Sequence, residues 1–289
     1  MSFLTRREII SGAAGLLGSA TLPVRALADF TGPLRFGLTP VFLSNDLELL
    51  ASFQTFLERA TSQPVQLVTR RTYQEITALL VSGELDAAWI CGYPFVKFRQ
   101  QLSLVAVPIW KGRSLYQSYL IARAGRPAQG IDDLRGDVHA FSDPDSNSGY
   151  LVTRALLGER GIGPDTFFRK AFFTYGHRNV IRAVGSGLAQ SGSVDGYVYE
   201  VVQEVEPSLV KSTEVVRKSE WLGFPPIACP IAIKDSEPIS KLKAGLLAMN
   251  QDQTGRTVLD MLRLDGFASE EPSLFDAIAH KAQLVDSLG

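Results

Sequence analysis

The sequence contains few of the residues that form metal clusters and disulfide frameworks. Its 289 residues include only two cysteines, Cys91 and Cys229, and three histidines, His139, His177 and His280, none of which are spaced as a ligand pair on a helix. Two cysteines are too few for a structural zinc cluster or for the disulfide network of a small secreted scaffold. The sequence therefore predicts no multi-histidine metal centre, and no cofactor is expected.

The sequence also lacks an excess of charge of either sign. Lysine and arginine together number 29 and aspartate and glutamate 30, which gives a formal net charge of −1 and a pI of about 6.3. Nucleic acids and anionic membranes select strongly basic surfaces, so neither is expected as the main partner. With 45% hydrophobic and 20% charged residues, the composition is that of a globular protein of one large domain or two average ones.

Long hydrophobic runs are absent, and the most apolar stretch lies at the N-terminus. Arg6-Arg7 precedes a run of 14 residues, 9–22, that is rich in Gly, Ala and Leu, and Ala26-Leu27-Ala28 is a small-residue cleavage site. These parts, in this order, resemble a twin-arginine export signal of bacteria. The run is shorter than the roughly 20 residues that span a bilayer, which disfavours a membrane anchor. We expect residues 1–28 to be removed and the mature chain to be periplasmic, without membrane insertion.

Beyond the signal-like segment, strand-like and helix-like segments alternate. Apolar runs at 34–38, 65–68 and 87–90 are typical of buried strands, and amphipathic patterns that begin at Ser44-Asn45 and at Thr72 predict helices between them. This β-α-β-α-β order predicts an α/β lobe with a mostly parallel sheet.

The same pattern begins again near residue 115 and predicts a second α/β lobe. Its expected strands are 119–122, 138–141, 171–173 and 196–198, with helices between them. A last strand near 225–231 is expected to return the chain to the first lobe.

Two crossings between the lobes predict a hinged clamshell with the ligand between its halves. We expect lobe 1 to comprise residues 29–118 and 228–289, lobe 2 to comprise 119–227, and the hinge to consist of two crossing strands.

The most informative polar segment follows the expected strand at 138–141. Ser146, Asn147 and Ser148 come after a turn at Asp143-Pro144, where a helix is expected to begin. Unpaired N–H groups at a helix start, together with three adjacent polar side chains, favour the binding of an oxyanion. The simpler interpretation is a helix N-cap, for which one such side chain is enough.

All eight tyrosines lie between residues 73 and 199. A tyrosine offers an apolar face and a hydroxyl, which suits a cleft that must also form hydrogen bonds. Tyr73, near a helix start, and Tyr93, just beyond a strand end, are the best placed for such a role. For Tyr119 and Tyr199, packing in the core is at least as good an interpretation.

A catalytic interpretation would combine Cys91, His177 and Asp195 as nucleophile, base and orienting carboxylate. No local sequence signature supports this arrangement, and Asp143 and Asp145 flank a turn without helical spacing. We therefore do not expect an enzyme.

Taken together, these segments resemble the periplasmic phosphate-, phosphite- and phosphonate-binding proteins of ABC transporters, the PhnD-type group. The likeness extends over nearly all of the mature chain, and the segments that carry it are Thr72–Glu75, Gly83–Trp89, Asp143–Tyr150, Gly176–Val184 and Val194–Tyr197. The resemblance implies a type II periplasmic binding fold that captures a small oxyanion and delivers it to an ABC permease, without catalysis. We expect a monomer.

The resemblance also implies a set of ligand-binding residues. Ser146 to Ser148 and nearby backbone N–H groups correspond to the stretch that holds the phosphonate oxygens in the family. The side chains expected to close on the anion from the facing surfaces are Tyr73, Tyr93 and His177. Asp195 would accept a proton-bearing oxygen and so favour a protonated anion.

One position departs from the pattern of the phosphonate binders. Ile90-Cys91-Gly92-Tyr93-Pro94 stands where they commonly have a glycine-proline pair. Here the chain resembles arsenite-sensing relatives that use a cleft cysteine, which implies a thiolate ligand to arsenic and a sensor kinase as partner. Cys91 as a small buried apolar residue and a disulfide to Cys229 remain the two other interpretations.

Overall fold

The structure is a computed structural model that describes residues 32–40 and 47–288. The signal-like segment 1–28 and the predicted cap at Ser44-Asn45 lie outside the described residues. Within the described ranges, no helix is both long enough and apolar enough to cross a membrane.

The strands of the described residues fall close to the apolar runs of the sequence. They are β1 Leu34–Leu38, β2 Val65–Thr69, β3 Ala87–Trp89, β4 Leu102–Ile109, β5 Leu115–Tyr116, β6 Ser118–Arg123, β7 Val138–Phe141, β8 Lys170–Phe173, β9 Ser191–Asp195, β10 Thr213–Lys218, β11 Leu222–Gly223, β12 Ile227–Pro230 and β13 Gly266–Ala268.

The helices lie between these strands. They are α1 Leu47–Thr61, α2 Tyr73–Val81, α3 Gly92–Lys97, α4 Val152–Gly158, α5 Pro164–Phe167, α6 His177–Gly185, α7 Gly196–Val205, α8 Pro207–Val210, α9 Glu237–Leu247, α10 Gln253–Leu262 and α11 Asp276–Ser287. A single π-helical turn, Asn147–Leu151, leads directly into α4.

Two sheets, each covered by helices, form two α/β lobes. Over the described residues, the first sheet has the order β13-β4-β12-β3-β1-β2 and the second the order β10-β6-β9-β7-β8, while β5 pairs with β11 between them. The chain leaves the first sheet after β4 and returns to it at β12 and β13.

The expectation of a mostly parallel sheet is wrong for both lobes. In the first sheet β1 is parallel to β2 and β3, but β12 runs antiparallel to β3 and β4. In the second sheet β7 is parallel to β8 and β9, but β6 runs antiparallel to β9 and β10. β6 and β12 are the strands by which the chain enters each sheet from the crossings rather than through a β-α-β unit, whereas β13, which is antiparallel to β4, is reached within the first lobe.

The predicted strand at 196–198 is also wrong, because these residues begin α7. Asp195 ends β9, and its Oδ1 accepts a hydrogen bond of 3.1 Å from Val198 N, which caps the helix. Tyrosine and valine favour strands, but that preference is weak, and the aspartate cap and tertiary packing override it.

Buried aromatic and polar contacts hold the ends of the central strands. Trp89, at the end of β3, packs between Phe53 and Phe267 and donates its indole N–H to Pro225 O at 2.9 Å. In the second lobe, His139 on β7 stacks on Phe168 with ring centroids 4.1 Å apart. Because these strands are anchored, the loops that follow them are held in defined positions.

Candidate functional site

Buried polar side chains from both lobes meet where strands of the two sheets end and helices begin. We call this group the interlobe cluster. Its members are Tyr73 and Cys91 of the first lobe, Asp143, Ser146, Asn147, Ser148, His177 and Asp195 of the second, and Tyr116 of β5. Each is at most 2% exposed. So many polar groups removed from water must form hydrogen bonds with one another or with a ligand.

A local capping motif positions Tyr73. Thr72 Oγ1 accepts a hydrogen bond of 3.2 Å from Glu75 N, and Glu75 Oε2 accepts one of 3.0 Å from Thr72 N, so both partners of a capping box are present. Tyr73 is the first residue of α2, and its backbone N–H donates to Asp143 Oδ2 at 3.3 Å. The start of a first-lobe helix therefore contacts a second-lobe carboxylate directly.

The polar triplet lies at the start of a helix, as expected, but the first turn, Asn147–Leu151, is a wider π-helical one. Ser146 is the N-cap, and its Oγ accepts a hydrogen bond of 3.0 Å from Gly149 N. The simple capping interpretation thus describes Ser146, while the next two residues point to other partners. Asn147 donates its backbone N–H to Cys91 Sγ at 3.2 Å and its side-chain amide to Tyr116 Oη at 2.8 Å. Ser148 Oγ donates to Asp195 Oδ2 at 3.4 Å.

Two buried oxygens of this region have no hydrogen-bond partner among the described residues. They are Ser142 Oγ, at the end of β7, and Asn147 Oδ1. A buried polar atom without a partner costs roughly 1–3 kcal/mol, so both atoms could gain a partner from a bound molecule.

The hydrogen bonds of His177 assign its tautomer. Asp195 N–H donates to His177 Nδ1 at 3.0 Å, so Nδ1 carries no proton. Burial lowers the pKa of His177 to about 3, and the neutral ring therefore has its proton on Nε2. Nε2 lies 3.2 Å from Tyr73 Oη, which accepts this hydrogen bond and keeps its own hydroxyl proton for another acceptor.

Burial shifts the carboxyl groups of the cluster in the opposite direction. Desolvation raises the pKa of Asp195 to about 7, against the lowering effect of hydrogen bonds from the Val198 and Tyr197 backbone and from Ser148. Desolvation also raises the pKa of Asp143. The Asp195 carboxyl can therefore gain or lose a proton near neutral pH.

Cys91 lies inside the cluster as a neutral thiol. Burial raises its pKa to about 12, and backbone N–H groups of Asn147 and Tyr93 only partly oppose this.

The interpretation as a disulfide is wrong, because Cys91 and Cys229 are both free thiols. Cys229 lies one residue after the β12–β3 pair Ala228↔Ala88, and so it faces Ala87. Cys91 lies four positions after Ala87 along extended chain, roughly 13 Å away, whereas a disulfide needs Cα atoms within about 7 Å.

Tyr93 is the one predicted site residue that lies outside the cluster. Tyr93 is 8% exposed, and the Lys97 ammonium group lies 5.1 Å from the centroid of its ring. Lys97 forms an ion pair of 3.0 Å with Asp145 of the second lobe. Tyr93 therefore stands beside a contact that joins the lobes at the edge of the cleft.

The arrangement does not form a catalytic triad. Both ring nitrogens of His177 are engaged by Tyr73 Oη and Asp195 N–H, and the Asp195 carboxylate accepts hydrogen bonds from Ser148 and Val198 rather than from the ring. A thiol with a pKa of about 12 is also a poor nucleophile at neutral pH.

Asp143 was considered only as part of a turn, and three further polar residues of this region were not singled out from the sequence. Tyr116 accepts from Asn147, Ser118 Oγ donates to Ser148 O at 2.6 Å, and Ser142 contributes its unpaired hydroxyl. The run 114–118 mixes polar and aromatic residues where the chain passes from one lobe to the other, and this pattern could have indicated Tyr116 and Ser118 as site residues.

Comparisons with known proteins identify similar chains. A sequence model of the family "ABC transporter, phosphonate, periplasmic substrate-binding protein" matches residues 36–275. The chain is similar to the phosphate-import protein PhnD of Mycolicibacterium smegmatis, with 28% identity over 175 residues. That alignment covers 55% of this chain and 54% of the relative, about half the length of each.

Solved structures of similar fold include the following two. A binding protein component of an ABC phosphonate transporter from Pseudomonas aeruginosa matches with a TM-score of 0.81 and 18% identity, over 89% of this chain and 87% of that one. PhnD1 from Prochlorococcus marinus, in complex with methylphosphonate, matches with a TM-score of 0.79 and 18% identity, over 88% and 98%. These matches confirm the predicted fold class, a type II periplasmic binding protein of two α/β lobes.

Proposed function

Since the chain belongs to the family of periplasmic substrate-binding proteins of phosphonate ABC transporters, we propose that its interlobe cluster closes on a small oxyanion of the phosphonate, phosphite or phosphate class. The bound anion would then be delivered to an ABC permease. This proposal is carried by one observation: neutral hydrogen-bond donors of both lobes lie together at the starts of helical segments. Tyr73 and Asn147 belong to opposite lobes, and both are buried.

Neutral donors suit a small anion that must be released again. The hydroxyl of Tyr73 is free to donate because His177 supplies the hydrogen bond that its oxygen accepts. The start of α2, where Tyr73 lies, adds the partial positive charge of a helix N-terminus. No lysine or arginine belongs to the cluster, so the donors hold the anion without forming an ion pair.

Asp195 supports selection of a protonated anion. Its carboxyl and an anion oxygen placed against Ser148 would share one proton, since two ionised groups in a buried site repel each other. With the pKa of Asp195 near 7, the proton can reside on either partner at neutral pH. A fully ionised ligand beside an ionised Asp195 would bind more weakly.

Alanine variants of the two serines test the proposal. We expect Ser148→Ala to weaken methylphosphonate or phosphite binding roughly ten-fold, about 1.5 kcal/mol, because a charge-assisted hydrogen bond to the anion is lost. Ser146→Ala should lower the free energy of unfolding by about 1 kcal/mol, because Gly149 N loses its cap. Calorimetric titration and chemical denaturation of each variant measure the two effects.

The two serine variants control for each other. Ser148→Ala keeps the Ser146 cap but also removes the 3.4 Å hydrogen bond to Asp195 Oδ2, so its free energy of unfolding is measured beside its anion affinity. If calorimetry gives the same anion affinity for both variants as for the original protein, the segment 146–148 does not hold the anion.

The arsenite-sensing role is a second candidate, and the position of Cys91 favours it. Its sulfur lies inside the cluster, 3.2 Å from Asn147 N. Arsenous acid, As(OH)3, would condense with the thiol, so that an S–As bond forms while an As–OH bond and the S–H bond break and water leaves. No electron transfer is needed. In this role the protein would signal to a sensor kinase instead of feeding a permease.

Substitution of Cys91 separates the two candidates. If arsenic binds to the sulfur, arsenite should raise the Tm of the original protein and have no effect on Cys91→Ser. Phosphite, phosphate and methylphosphonate present only oxygens, so their affinities should change little. Cys229→Ser, which alters the other buried free thiol, is the matched control. Arsenite binding that survives in Cys91→Ser would exclude the sulfur site.

We also propose the processing and organisation of the mature chain. Residues 1–28 would be a twin-arginine-type signal cleaved near Ala28, lobe 1 would comprise 29–118 and 228–289, lobe 2 would comprise 119–227, and the protein would be a monomer. The periplasmic family and the membership of the two sheets support this organisation. N-terminal sequencing of periplasmic material should begin near Asp29, and an uncleaved cytoplasmic chain would contradict the export proposal.

A further inference from the structure

An arginine-rich cavity adjoins the interlobe cluster. It has a volume of about 1290 Å³ and is lined by residues of both lobes. His177 lines it and also binds Tyr73 of the cluster, so one side chain belongs to both regions. The arginines in its walls are Arg70, Arg71, Arg178, Arg182 and Arg263.

Three of these arginines form no ion pair with a carboxylate among the described residues, although Glu75 lies near enough to Arg70 for the two charges to interact. Arg178 pairs with Glu206 and Arg263 pairs with Glu204. In contrast, Arg70 donates only to the neighbouring Thr69 O at 2.8 Å, and Arg182 only to Asn179 Oδ1 at 3.0 Å. The Arg71 side chain forms no hydrogen bond or ion pair within the described ranges, although its backbone N–H interacts with the Glu75 carboxylate. The cavity therefore concentrates unpaired positive charge in a chain whose formal net charge is −1.

Both lobes contribute arginines to the lining of the cavity. Arg70 and Arg71 immediately precede the start of α2, which carries Tyr73 into the cluster. Arg182 lies five residues after His177 on α6. Arg178 and Arg182, four residues apart, lie on the same helix face, as i and i+4 positions do. Each lobe thus contributes to the cluster and to the arginine-lined cavity from the same helix or its leading loop.

The two regions have complementary chemistry. The cluster offers neutral donors and two carboxyl groups, which suit one anionic group that shares a proton. A second anionic group would be repelled there, but it would be stabilised next to guanidinium groups, whose planar donors fit carboxylates and phosphates. The cavity also has an apolar surface that suits a carbon linker between the two anionic groups. Val198, Val201 and Met261 contribute to it.

We propose that the preferred ligand is a phosphonate or phosphate ester that carries a second anionic group, of the carboxylate or phosphate class, and that Arg70, Arg71 and Arg182 bind this second group. The proposal rests on the oxyanion-binding function proposed above, since the first group is assigned to the interlobe cluster. It extends that function by naming the substituent of the ligand.

Calorimetry with two matched ligands tests the proposal. Methylphosphonate carries one anionic group, and phosphonoacetate carries the same phosphonate with an added carboxylate. We expect the original protein to bind phosphonoacetate about ten-fold more tightly than methylphosphonate at pH 7.5. The double variant Arg70→Gln/Arg71→Gln and the single variant Arg182→Gln should each reduce this ratio to about three-fold or less. Arg99→Gln, which alters an exposed arginine outside the cavity, should keep it.

The outcomes separate this inference from the proposed function. If methylphosphonate binds but phosphonoacetate binds no more tightly, the second subsite is wrong and the oxyanion function stands. If the preference for phosphonoacetate persists in both arginine variants, these arginines do not form the subsite. If neither compound binds the original protein, both the oxyanion function and the subsite are overturned.

Discussion

Replacing Gly149 with alanine is expected to lower the free energy of unfolding by about 3 kcal/mol and to abolish anion binding. A Cβ atom at this position would lie 1.8 Å from Ser142 Oγ, 2.6 Å from Ser142 Cβ and 3.0 Å from His177 Cε1. A serine hydroxyl can rotate away, but the Ser142 Cβ is fixed by the backbone of a strand end. The added methyl group must therefore push apart β7 and the turn that carries Asn147 and Ser148.

Two further variants make this expectation specific. Gly130→Ala is the matched control, because nothing lies within 4 Å of its Cβ position and it should be nearly neutral. Ser142→Gly removes both of the nearest atoms, so it should restore part of the stability that Gly149→Ala loses, which a double-mutant cycle measures. Denaturation curves for Gly149→Ala that match those of Gly130→Ala would show that the turn has more room than the structure gives it.

The parts of the fold that depend on neighbouring residues could be predicted from the sequence. The capping box of Thr72 and Glu75 is complete within four residues, and it begins a helix where it was expected. Gly83 and Gly136 follow the ends of the helical segments 73–81 and 131–134, and they adopt the positive φ angles of 77° and 78° that glycine tolerates. Strand positions followed from short apolar runs, because burial on both faces leaves little polar alternation.

The parts that depend on distant residues could not be predicted in this way. β12 lies between β3 and β4, more than 100 residues away along the chain, and no periodicity gives its direction. The error at Gly196 has a similar cause. A Cβ there would lie 2.7 Å from Gln117 O of the neighbouring segment, so packing against that segment, and not local propensity, requires the glycine.

The candidate site shows the same division. Ser146, Asn147 and Ser148 were identified because they are adjacent in the sequence and precede a helix. Tyr116 was not singled out, since its position depends on the pairing of β5 with β11, where Tyr116 faces Leu222. The choice of Tyr93 rested on its distance from a strand end, but α3 turns it toward Lys97 at the edge of the cleft.

Replacing Asp195 with asparagine is expected to stabilise the protein relative to the original chain as the pH rises. The pKa of Asp195 is about 7 in the folded protein and would be near the ordinary value of 3.8 in the unfolded chain. Between these values the folded state binds a proton that the unfolded state does not. The stabilising contribution is therefore complete below about pH 4 and is lost as the pH rises through 7. Asparagine has no such titration, and it remains a good N-cap for α7.

From pH 5 to pH 8, the free energy of unfolding of the Asp195→Asn variant should therefore rise by about 2–3 kcal/mol relative to that of the original protein. The difference between the two proteins is the quantity to measure, because His139 and His177 act in the opposite direction. Burial lowers the pKa of each to about 3, so each adds stability as the pH rises from 3 to 6.5, and equally in both proteins. Tyr73, Cys91 and Tyr116, which face Asp195, stay neutral at pH 8 because burial raises their pKa values. Urea denaturation at half-unit pH steps tests this, and a difference that stays constant from pH 5 to pH 8 would mean that Asp195 is ionised throughout.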